Sequence, residues 1–351
     1  MNSPVVHNLV RNSVIIGDVR TKLADLPVAS VDTVITSPPY FQLRDYGSKG
    51  QIGLEDDVSL WVDELRLVMG GLGRVLKPSG SVWLNLGDSY SRGLRFGAPA
   101  KSLLLGPERL AIGLIDDGWT IRNKVIWSKS RTMPTSVRDR LACKWEVIYL
   151  LTRSRQYHFD LDAIRVPHTS AVAPGRRRPG PYPPAHSRPP VWAGPLAGSN
   201  SGLAHMKREG RAGHPLGKNP GDVVRLPSAN FRGQHFATFP PDLVEQPLLA
   251  TCPERVCSRC GEPWQRGPGR ALGQLAVRGD LRPACKCHAR WQPGLVLDPF
   301  FGAGTVGLVA EQHKRDWLGI ELNPDFATLA TRRIDAARSQ IPSTTIHHRA
   351  A

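Results

Sequence analysis

The stretch LVLDPFFGAGTVG, Leu295–Gly307, carries the strongest indication of the fold. A short apolar run ends in an acid, Asp298, and then passes through Gly302 and Gly304 into a helical pattern. Glycines in such a turn let the backbone approach a ligand closely, and Thr305 can cap the helix. The stretch therefore predicts a buried strand, a turn and a helix, with a ligand at the carboxyl end of the strand.

The segment GIELNP follows, and it places Glu321 at the end of the next predicted strand. An acid at this position can accept hydrogen bonds from both ribose hydroxyls of a nucleoside cofactor. The alternative is a carboxylate that caps a helix ahead of Asn323 and Pro324.

Seven short apolar runs along the chain predict buried strands: SVIIGD, VDTVITS, GSVWLNLGD, RNKVIWSK, EVIYLLTR, LVLDPF and DWLGIEL. Helical patterns between or after them cover Leu54–Leu76, Leu103–Ile115, Pro240–Ala250, Gly304–Gln312 and Pro324–Arg338. Strands that alternate with helices indicate a Rossmann-like α/β fold with a seven-strand, mostly parallel sheet. Ligands of such folds bind at the carboxyl ends of the strands.

The net charge of +16 over 351 residues indicates a polyanionic partner, either nucleic acid or an anionic membrane surface. No apolar run approaches the length of a membrane span, and the opening residues MNSPVVHNLV lack the features of a signal peptide. We therefore expect a cytoplasmic protein with no membrane partner.

The segment 166–232 is rich in proline, glycine and arginine and carries a net charge of +8. This composition is typical of a solvated, flexible linker. A basic segment that becomes ordered on DNA is the functional alternative, because Lys and Arg pair with phosphates while a few side chains read base edges.

Five of the six cysteines lie between Cys252 and Cys287. Cys257 and Cys260, with Cys285 and Cys287, form two close pairs suited to a structural, tetrahedral zinc ion. Cys252 belongs to the end of the preceding helix, and His288 could replace one member of the second pair. Cys143 is interpreted as a small core residue.

The catalytic expectation rests on TSPPY, residues 36–40. Pro38 and Pro39 fix two φ angles and remove two backbone donors, which makes the corner after the strand rigid. The corner presents the hydroxyl of Ser37, the carbonyl of Pro38 and the ring of Tyr40. Such groups can accept hydrogen bonds from an aromatic amine and stack on its ring with little reorganisation.

Together these motifs resemble the amino-methyltransferases of DNA, which methylate N6 of adenine or N4 of cytosine with S-adenosylmethionine (SAM). The motif order is similar to the permuted group, in which the catalytic motif comes first. The resemblance covers most of the chain, through the segments 17–40, 75–88, 122–160 and 233–253 and the DPFFGAGT motif. In this family the base is flipped out of the duplex before reaction.

The resemblance implies SAM as cofactor and assigns the site residues. Those expected at the cofactor are Asp18, Phe239, Asp298, Phe300, Gly302, Gly304, Thr305 and Glu321. Ser37, Pro38, Pro39 and Tyr40 would form the catalytic group. Lys129, Arg176, Arg177, Arg178 and Arg188 would contact DNA, and Trp127 would either help hold the flipped base or belong to the core.

We divide the chain into a catalytic half (1–165), a basic target-recognition segment (166–232), a second cofactor segment (233–251), a zinc-binding insertion (252–291), a SAM-binding half (292–340) and a tail (341–351). The zinc-binding insertion departs from the core family pattern. A serine at position 37 is more typical of the cytosine-N4 enzymes, and adenine N6 is the alternative. We expect double-stranded DNA as substrate, in a restriction-modification system with a partner endonuclease or as an orphan enzyme. An RNA methyltransferase and a catalytically silent DNA-binding relative are the rival interpretations, and the oligomeric state stays open.

Overall fold

The computed structural model describes residues 10–132, 134–167, 214, 216–228, 239–267, 270–272 and 275–340. The described residues of 1–160, 221–265 and 282–351 form one compact unit. Those of 161–220 and 266–281 form a second, smaller unit. All residues of the candidate site described below belong to the first unit.

The first unit is built on an eight-stranded sheet. Its strands are β1 (Ser13–Ile16), β2 (Val31–Thr36), β3 (Leu76–Leu86), β4 (Thr120–Lys129), β5 (Trp145–Thr152), β6 (Val223–Leu226), β13 (Leu295–Asp298) and β14 (Asp316–Glu321). They are arranged in the order β1-β14-β13-β2-β3-β5-β4-β6. Only β5 runs against its neighbours β3 and β4, and the other pairings are parallel. The carboxyl ends of β1, β14, β13, β2 and β3 therefore lie along one edge.

Six α-helices are described: α1 (Val19–Asp25), α2 (Val58–Val75), α3 (Gly106–Asp116), α4 (Pro241–Thr251), α5 (Thr305–Gln312) and α6 (Pro324–Gln340). The longest of them, α2, begins where the Asp57 carboxylate accepts a hydrogen bond from the Ser59 amide at 2.6 Å. It buries one face, which includes Trp61, Leu65 and Leu72, in the larger of two hydrophobic cores. None of the helices that the structure describes is long and apolar enough to cross a bilayer.

The seven predicted strands are all present, and the sheet is mostly parallel as expected. An eighth strand, β6, was not predicted, because its residues VVRL lie in the segment interpreted as a basic linker. It pairs in parallel with β4 at the sheet edge. The seven-residue helix α1 was also missed, since it is too short for a clear helical period. Cys143 is exposed and is not a core residue, because the loop that carries it lies outside the sheet.

Short strands follow α4. They are β7 (Val256–Cys257), β8 (Gln265–Arg266), β9 (Arg270–Leu272), β10 (Leu275–Val277), β11 (Leu281–Arg282) and β12 (Trp291–Gln292). In the first unit, β7 pairs antiparallel with β12. In the second unit, β9 and β10 form an antiparallel pair, and Val166 bridges to Lys218.

Candidate active site

A cleft opens at the carboxyl ends of β1, β2, β13 and β14. We call it the cofactor cleft. Seven of the eight residues predicted to bind the cofactor line it: Asp18, Phe239, Asp298, Phe300, Gly302, Thr305 and Glu321. Ser37 and Pro39 of the TSPPY corner line the same cleft. The fold thus brings two motifs together that are about 260 residues apart in the chain.

Asp298 ends β13 and is almost fully buried at the base of the cleft. Its Oδ1 accepts hydrogen bonds from the Thr36 hydroxyl at 2.8 Å and from the Phe300 amide at 3.1 Å. Burial outweighs these two hydrogen bonds and raises the pKa of Asp298 to about 7. The carboxylate is therefore poised for a cationic or hydrogen-bond-donating ligand.

Glu321 ends β14, and its two oxygens have different partners. Oε2 accepts from the Gly302 amide at 2.7 Å, and Oε1 accepts from the Asn323 amide at 2.9 Å. Asn323 caps the helix that begins at Pro324, because its Oδ1 accepts from the Asp325 amide at 2.9 Å, so Glu321 is not the cap that the alternative predicts; its side chain lines the cleft. Burial raises the pKa of Glu321. Each oxygen keeps lone-pair capacity for a further donor.

The glycine turn before α5 uses left-handed backbone at Gly302, with φ 51°, and at Gly304, with φ 72°. Gly302 lines the cleft, whereas Gly304 is not among the lining residues. A Cβ atom at Gly304 would lie 2.9 Å from the Cβ of Ala330, so this glycine permits close packing against α6. Thr305 does not cap α5, because Gly304 occupies the cap position and the Thr305 hydroxyl accepts from Arg333 at 3.0 Å.

Asp18 lines the cleft and also caps the start of α1. Its Oδ1 accepts from the Arg20 amide at 2.8 Å, and its carboxylate pairs with the Arg20 guanidinium. The side-chain hydrogen bond from Arg20 lowers the pKa of Asp18. Asp18 thus serves the start of α1 and also lies where the resemblance expects a cofactor residue.

The side chains of Ser37, Tyr40, Asn85, Lys129 and Glu146 form a hydrogen-bonded group that we call the catalytic corner. The Ser37 hydroxyl lies 3.2 Å from the Tyr40 hydroxyl, and the Tyr40 hydroxyl donates to Glu146 Oε2 at 2.6 Å. Lys129 forms an ion pair with the other Glu146 oxygen. Burial and the nearby Glu146 carboxylate raise the pKa of Tyr40 well above its usual value, so the phenol stays protonated.

Asn85 on β3 contacts three members of this group. Its Nδ2 lies 2.8 Å from the Tyr40 hydroxyl, 3.0 Å from Glu146 Oε2 and 3.2 Å from the Ser37 hydroxyl. Asn85 Oδ1 is buried, and among the described protein atoms it has no hydrogen-bond partner. The amide nitrogen faces Glu146 because a carboxylate can only accept there.

Of the backbone carbonyls of the two prolines, only one accepts a hydrogen bond from the described residues. The Pro39 carbonyl accepts a hydrogen bond from the indole of Trp61 at 3.0 Å, which anchors the corner to α2. Within the described residues, none donates to the Pro38 carbonyl. Of the two carbonyls after Ser37, the Pro38 carbonyl is therefore the one left for a ligand.

The sequence interpretation missed Asn85 and Glu146. One sequence signal could have identified each of them: a polar side chain inside or beside an apolar strand, in VWLNL and WEVIYLL. A polar group in a buried strand requires a partner, but the sequence does not say which one. Here the register pairs Asn85 with Ile148, two residues from Glu146, and so places both polar side chains on one face.

Lys129, predicted to contact DNA, lies in the catalytic corner, with its ammonium 4.9 Å from the centre of the Trp127 ring. Trp127 is buried, and its indole donates to the Leu226 carbonyl at 3.2 Å, as its interpretation as a core residue predicts. Arg176, Arg177, Arg178 and Arg188 lie outside the described residues.

The four cysteines of the two predicted pairs form a cluster in which all Sγ atoms lie within 4.8 Å of one another. Tetrahedral zinc with Zn–S bonds of about 2.3 Å places its sulfurs about 3.8 Å apart, so the cluster fits this ion. The backbone of β7 supports it, because the Cys257 carbonyl accepts from the Gly261 amide at 2.9 Å. His288 is not part of the cluster.

The thiols of the cluster are electrostatically unequal. Backbone amides of Cys260 and Arg259 lower the pKa of Cys257 to about 6, which favours a thiolate. A hydrogen bond with Cys260 raises the pKa of Cys287 to about 12. A group of four close sulfurs with one thiolate already favoured is the donor set that a thiophilic dication prefers.

A family model described as DNA methylase (N6_N4_Mtase) matches residues 31–332. The Type II methyltransferase M.XycI of Xanthomonas campestris pv. cyanopsidis is 33% identical over 93% of this chain and 88% of its own length. M.SmaI of Serratia marcescens, also a Type II methyltransferase, is 31% identical over 93% of this chain and 92% of its own length.

Solved structures agree on the fold. The cytosine-N4-specific PvuII DNA methyltransferase matches with a TM-score of 0.55 at 18% identity and covers 93% of this chain and 91% of its own. TTHA0409 of Thermus thermophilus, solved in complex with SAM, matches with a TM-score of 0.51 at 21% identity and covers 93% of each chain.

Proposed function

The chain belongs to the N6/N4 DNA methylase family, and from that premise we propose that it transfers the methyl group of SAM to the exocyclic N4 amine of cytosine in duplex DNA. The observation that carries the proposal is the shared wall of the site: Ser37 lines the cofactor cleft and belongs to the catalytic corner. A base held at Ser37 would therefore face a cofactor held by Asp298 and Glu321.

SAM supplies an electrophilic methyl group on a sulfonium. Asp298 and Glu321 would hold its polar ends, and the apolar wall at Phe239 and Phe300 would exclude water. The Ser37 hydroxyl and the Pro38 carbonyl would accept hydrogen bonds from the amino group as its nitrogen becomes tetrahedral. These acceptors are fixed in advance by two prolines, so they cost little reorganisation in the transition state.

Flipping a base out of the duplex costs a few kcal/mol, which contacts in the site must offset. The ring of Tyr40 offers a stacking surface at the corner. Its position is fixed by the hydrogen bond to Glu146 and by close packing on Gly87, where a Cβ atom would lie 2.5 Å from the ring. We assign the phosphate contacts to the basic segment that includes Arg176, Arg177, Arg178 and Arg188.

The choice of cytosine rests on Ser37 and on the name of the PvuII enzyme, which is cytosine-N4-specific. Adenine N6 is the second candidate, because a hydroxyl can accept from either amino group. The relatives named Type II methyltransferases support a restriction-modification setting, with a partner endonuclease, in the cytoplasm.

The test is incubation of the purified protein with SAM and unmethylated plasmid DNA, followed by digestion to nucleosides and mass spectrometry. N4-methylcytosine is the expected product, and Ser37→Ala protein serves as the control for contaminating methylases. N6-methyladenine would overturn the base assignment. Methylation of RNA alone, or of neither nucleic acid with SAM bound, would overturn the proposal in favour of an RNA enzyme or a silent binding protein.

We further propose that Cys257, Cys260, Cys285 and Cys287 hold a structural zinc ion. Four protein thiolates complete a tetrahedral site and leave no position for substrate. Metal analysis of the purified protein should give one zinc per chain, and Cys260→Ser should reduce that content. Cys143→Ser is the matched control, because Cys143 is exposed and outside the cluster. Equal zinc content in both variants would contradict the assignment.

A further inference from the structure

Three side chains at the corner form a continuous path that leads away from the cofactor cleft. Ser37 Oγ is 3.2 Å from Tyr40 Oη, and Tyr40 Oη is 2.6 Å from Glu146 Oε2. Ser37 lines the cleft, while Glu146 lies behind Tyr40 at the start of β5. The path connects the expected position of the reacting amine to a carboxylate that does not touch it.

The direction of the hydrogen bonds along this path follows from the number of donors. A carboxylate only accepts, so the Tyr40 proton is directed to Glu146. Tyr40 then has no proton left for Ser37, and the Ser37 hydroxyl must donate to Tyr40 Oη. Ser37 Oγ consequently keeps its lone pairs as acceptors, because the two protons of Asn85 Nδ2 are used in its shorter contacts, with Tyr40 Oη at 2.8 Å and Glu146 Oε2 at 3.0 Å.

We propose that Ser37, Tyr40 and Glu146 form a proton relay that removes the proton released by the methylated amine. This inference rests on the proposed function and deepens it. The amine nitrogen forms a bond to the methyl carbon while the carbon–sulfur bond breaks and sulfur keeps the electron pair. The nitrogen then gives a proton to Ser37 Oγ, Ser37 gives its own to Tyr40, and Tyr40 gives its own to Glu146. Glu146 ends as a neutral acid and returns the proton to solvent.

Among the described residues, two other acids near the site, Asp88 and Asp298, have no side-chain hydrogen-bond path to Ser37. Asp88 accepts from three backbone amides, those of Ser89, Leu105 and Gly106, at 2.9 to 3.1 Å, and so serves the start of α3. Asp298 accepts from Thr36 and from the Phe300 amide. Glu146 is the carboxylate that continues from Ser37 through a hydroxyl.

The groups that face Glu146 come from three elements. Tyr40 lies on the loop after β2, Asn85 on β3 and Lys129 on β4. Lys129 is the charged one, and its ammonium pairs with Oε1, so the oxygen that meets Tyr40 is the other one, Oε2. Asn85 donates to the Tyr40 and Glu146 oxygens and aligns them. Glu146 therefore acts through Tyr40 and Ser37 as a positioning residue and as the end of the relay.

The test is Glu146→Gln, a change that keeps size and an acceptor oxygen but cannot take up a proton. Single-turnover methyl transfer, with SAM and DNA bound beforehand, should slow by about 10²-fold. The dissociation constant for SAM, measured by calorimetry, should stay within about twofold, because the cofactor cleft is untouched.

Two further variants keep the test decisive. Tyr40→Phe retains the stacking ring and removes the relay hydroxyl, so it should match Glu146→Gln, and the double variant should be no slower than either single one. Glu108→Gln is the matched control, because Glu108 forms a comparable ion pair with Lys124 of β4, 2.6 Å apart, outside the corner. Should Glu146→Gln fail to fold, Tyr40→Phe decides alone.

A wild-type rate in Glu146→Gln or Tyr40→Phe, or a double variant slower than either single one, would overturn the relay and leave the methyltransferase assignment intact. Failure of the proposed function would appear differently, as wild-type protein that transfers no methyl group to DNA.

Discussion

The cofactor cleft and the catalytic corner lie at the same edge of the sheet, yet their buried carboxylates differ in the partners that the protein gives them. In the cleft, Asp298 and Glu321 are buried with raised pKa values, and their hydrogen-bond donors are neutral hydroxyl and amide groups. In the corner, Glu146 is also mostly buried but is paired with Lys129, Tyr40 and Asn85. The cleft acids therefore need a ligand to complete their surroundings, whereas the corner carboxylate Glu146 already has a cation and two neutral donors from the protein.

This contrast has an energetic meaning. A buried carboxylate without a cation costs free energy in the folded protein, which a bound cationic or hydroxyl-bearing ligand recovers. Removing a cleft acid should therefore weaken ligand binding, while it increases the free energy of unfolding of the ligand-free protein. Removing a corner residue should affect the reaction and leave ligand binding unchanged.

The sharpest separation of the two regions is expected from Ser37→Ala. Loss of a hydrogen-bond acceptor fixed at the reacting amine should lower the methyl-transfer rate by about 10²–10³-fold. Calorimetric SAM affinity should stay nearly constant, because the hydroxyl serves the base. An unchanged rate, or a loss of SAM binding of similar size, would show that the corner and the cleft do not have separate roles.

Glu321→Ala should have the reverse pattern. Hydrogen bonds to a charged group contribute about 1.5–3 kcal/mol, so the dissociation constant for SAM should rise about 10- to 100-fold. At saturating SAM the transfer rate should largely recover. Glu311→Ala is the control, since Glu311 pairs with Arg338 and Trp317 outside the cleft. Normal affinity in Glu321→Ala would remove Glu321 from the cofactor site.

Asp298→Asn should weaken SAM binding and yet stabilise the free protein at pH 8. The pKa of Asp298 is about 7 in the folded protein, against an ordinary value of 3.8. Between these values the folded state holds a proton that the unfolded state has lost, so the free energy of unfolding decreases as pH rises towards 7. The neutral Asn avoids this loss, and Tm at pH 8 should rise by about 2 °C.

The same titration predicts that wild-type SAM affinity increases as pH rises through about 7, because the ligand needs the ionised Asp298. Calorimetry between pH 6 and pH 8 tests this, with Asp298→Asn as the reference that should lack the trend. A lower Tm in Asp298→Asn, or a parallel trend in both proteins, would argue against a carboxylate waiting for its ligand.

Cys260→Ser should change the chemistry least. The cysteine cluster packs at the amino end of β3, where a Cβ atom at Gly261 would lie 3.4 Å from the Lys77 side chain. Lys77 in turn pairs with buried Asp32 at 2.7 Å. Loss of the cluster should lower Tm by several degrees, while SAM affinity and the transfer rate at 25 °C change by less than about twofold. A selective loss of SAM binding would connect the cluster to the cleft.

Many features of the fold and of the candidate site could be predicted from local sequence patterns. The seven strand segments, the glycine turn at Gly302 and the rigid TSPPY corner follow from apolar runs, from glycine's tolerance of positive φ and from the restricted φ of proline. The two cysteine pairs were likewise evident from their spacing. Each of these features depends on neighbours within a few residues, so the order of residues is enough to reveal it.

The partners of Ser37 could not be found in that way. Asn85 and Glu146 come from β3 and β5, and their approach to Tyr40 depends on strand order and register. The edge strand β6 and the packing role of Gly304 against Ala330 depend in the same way on which elements become neighbours. Contacts between distant segments form when the sheet assembles and buries polar groups that must pair. Local chemistry is thus encoded residue by residue, whereas the hydrogen-bond partners that orient it are selected by the assembled fold.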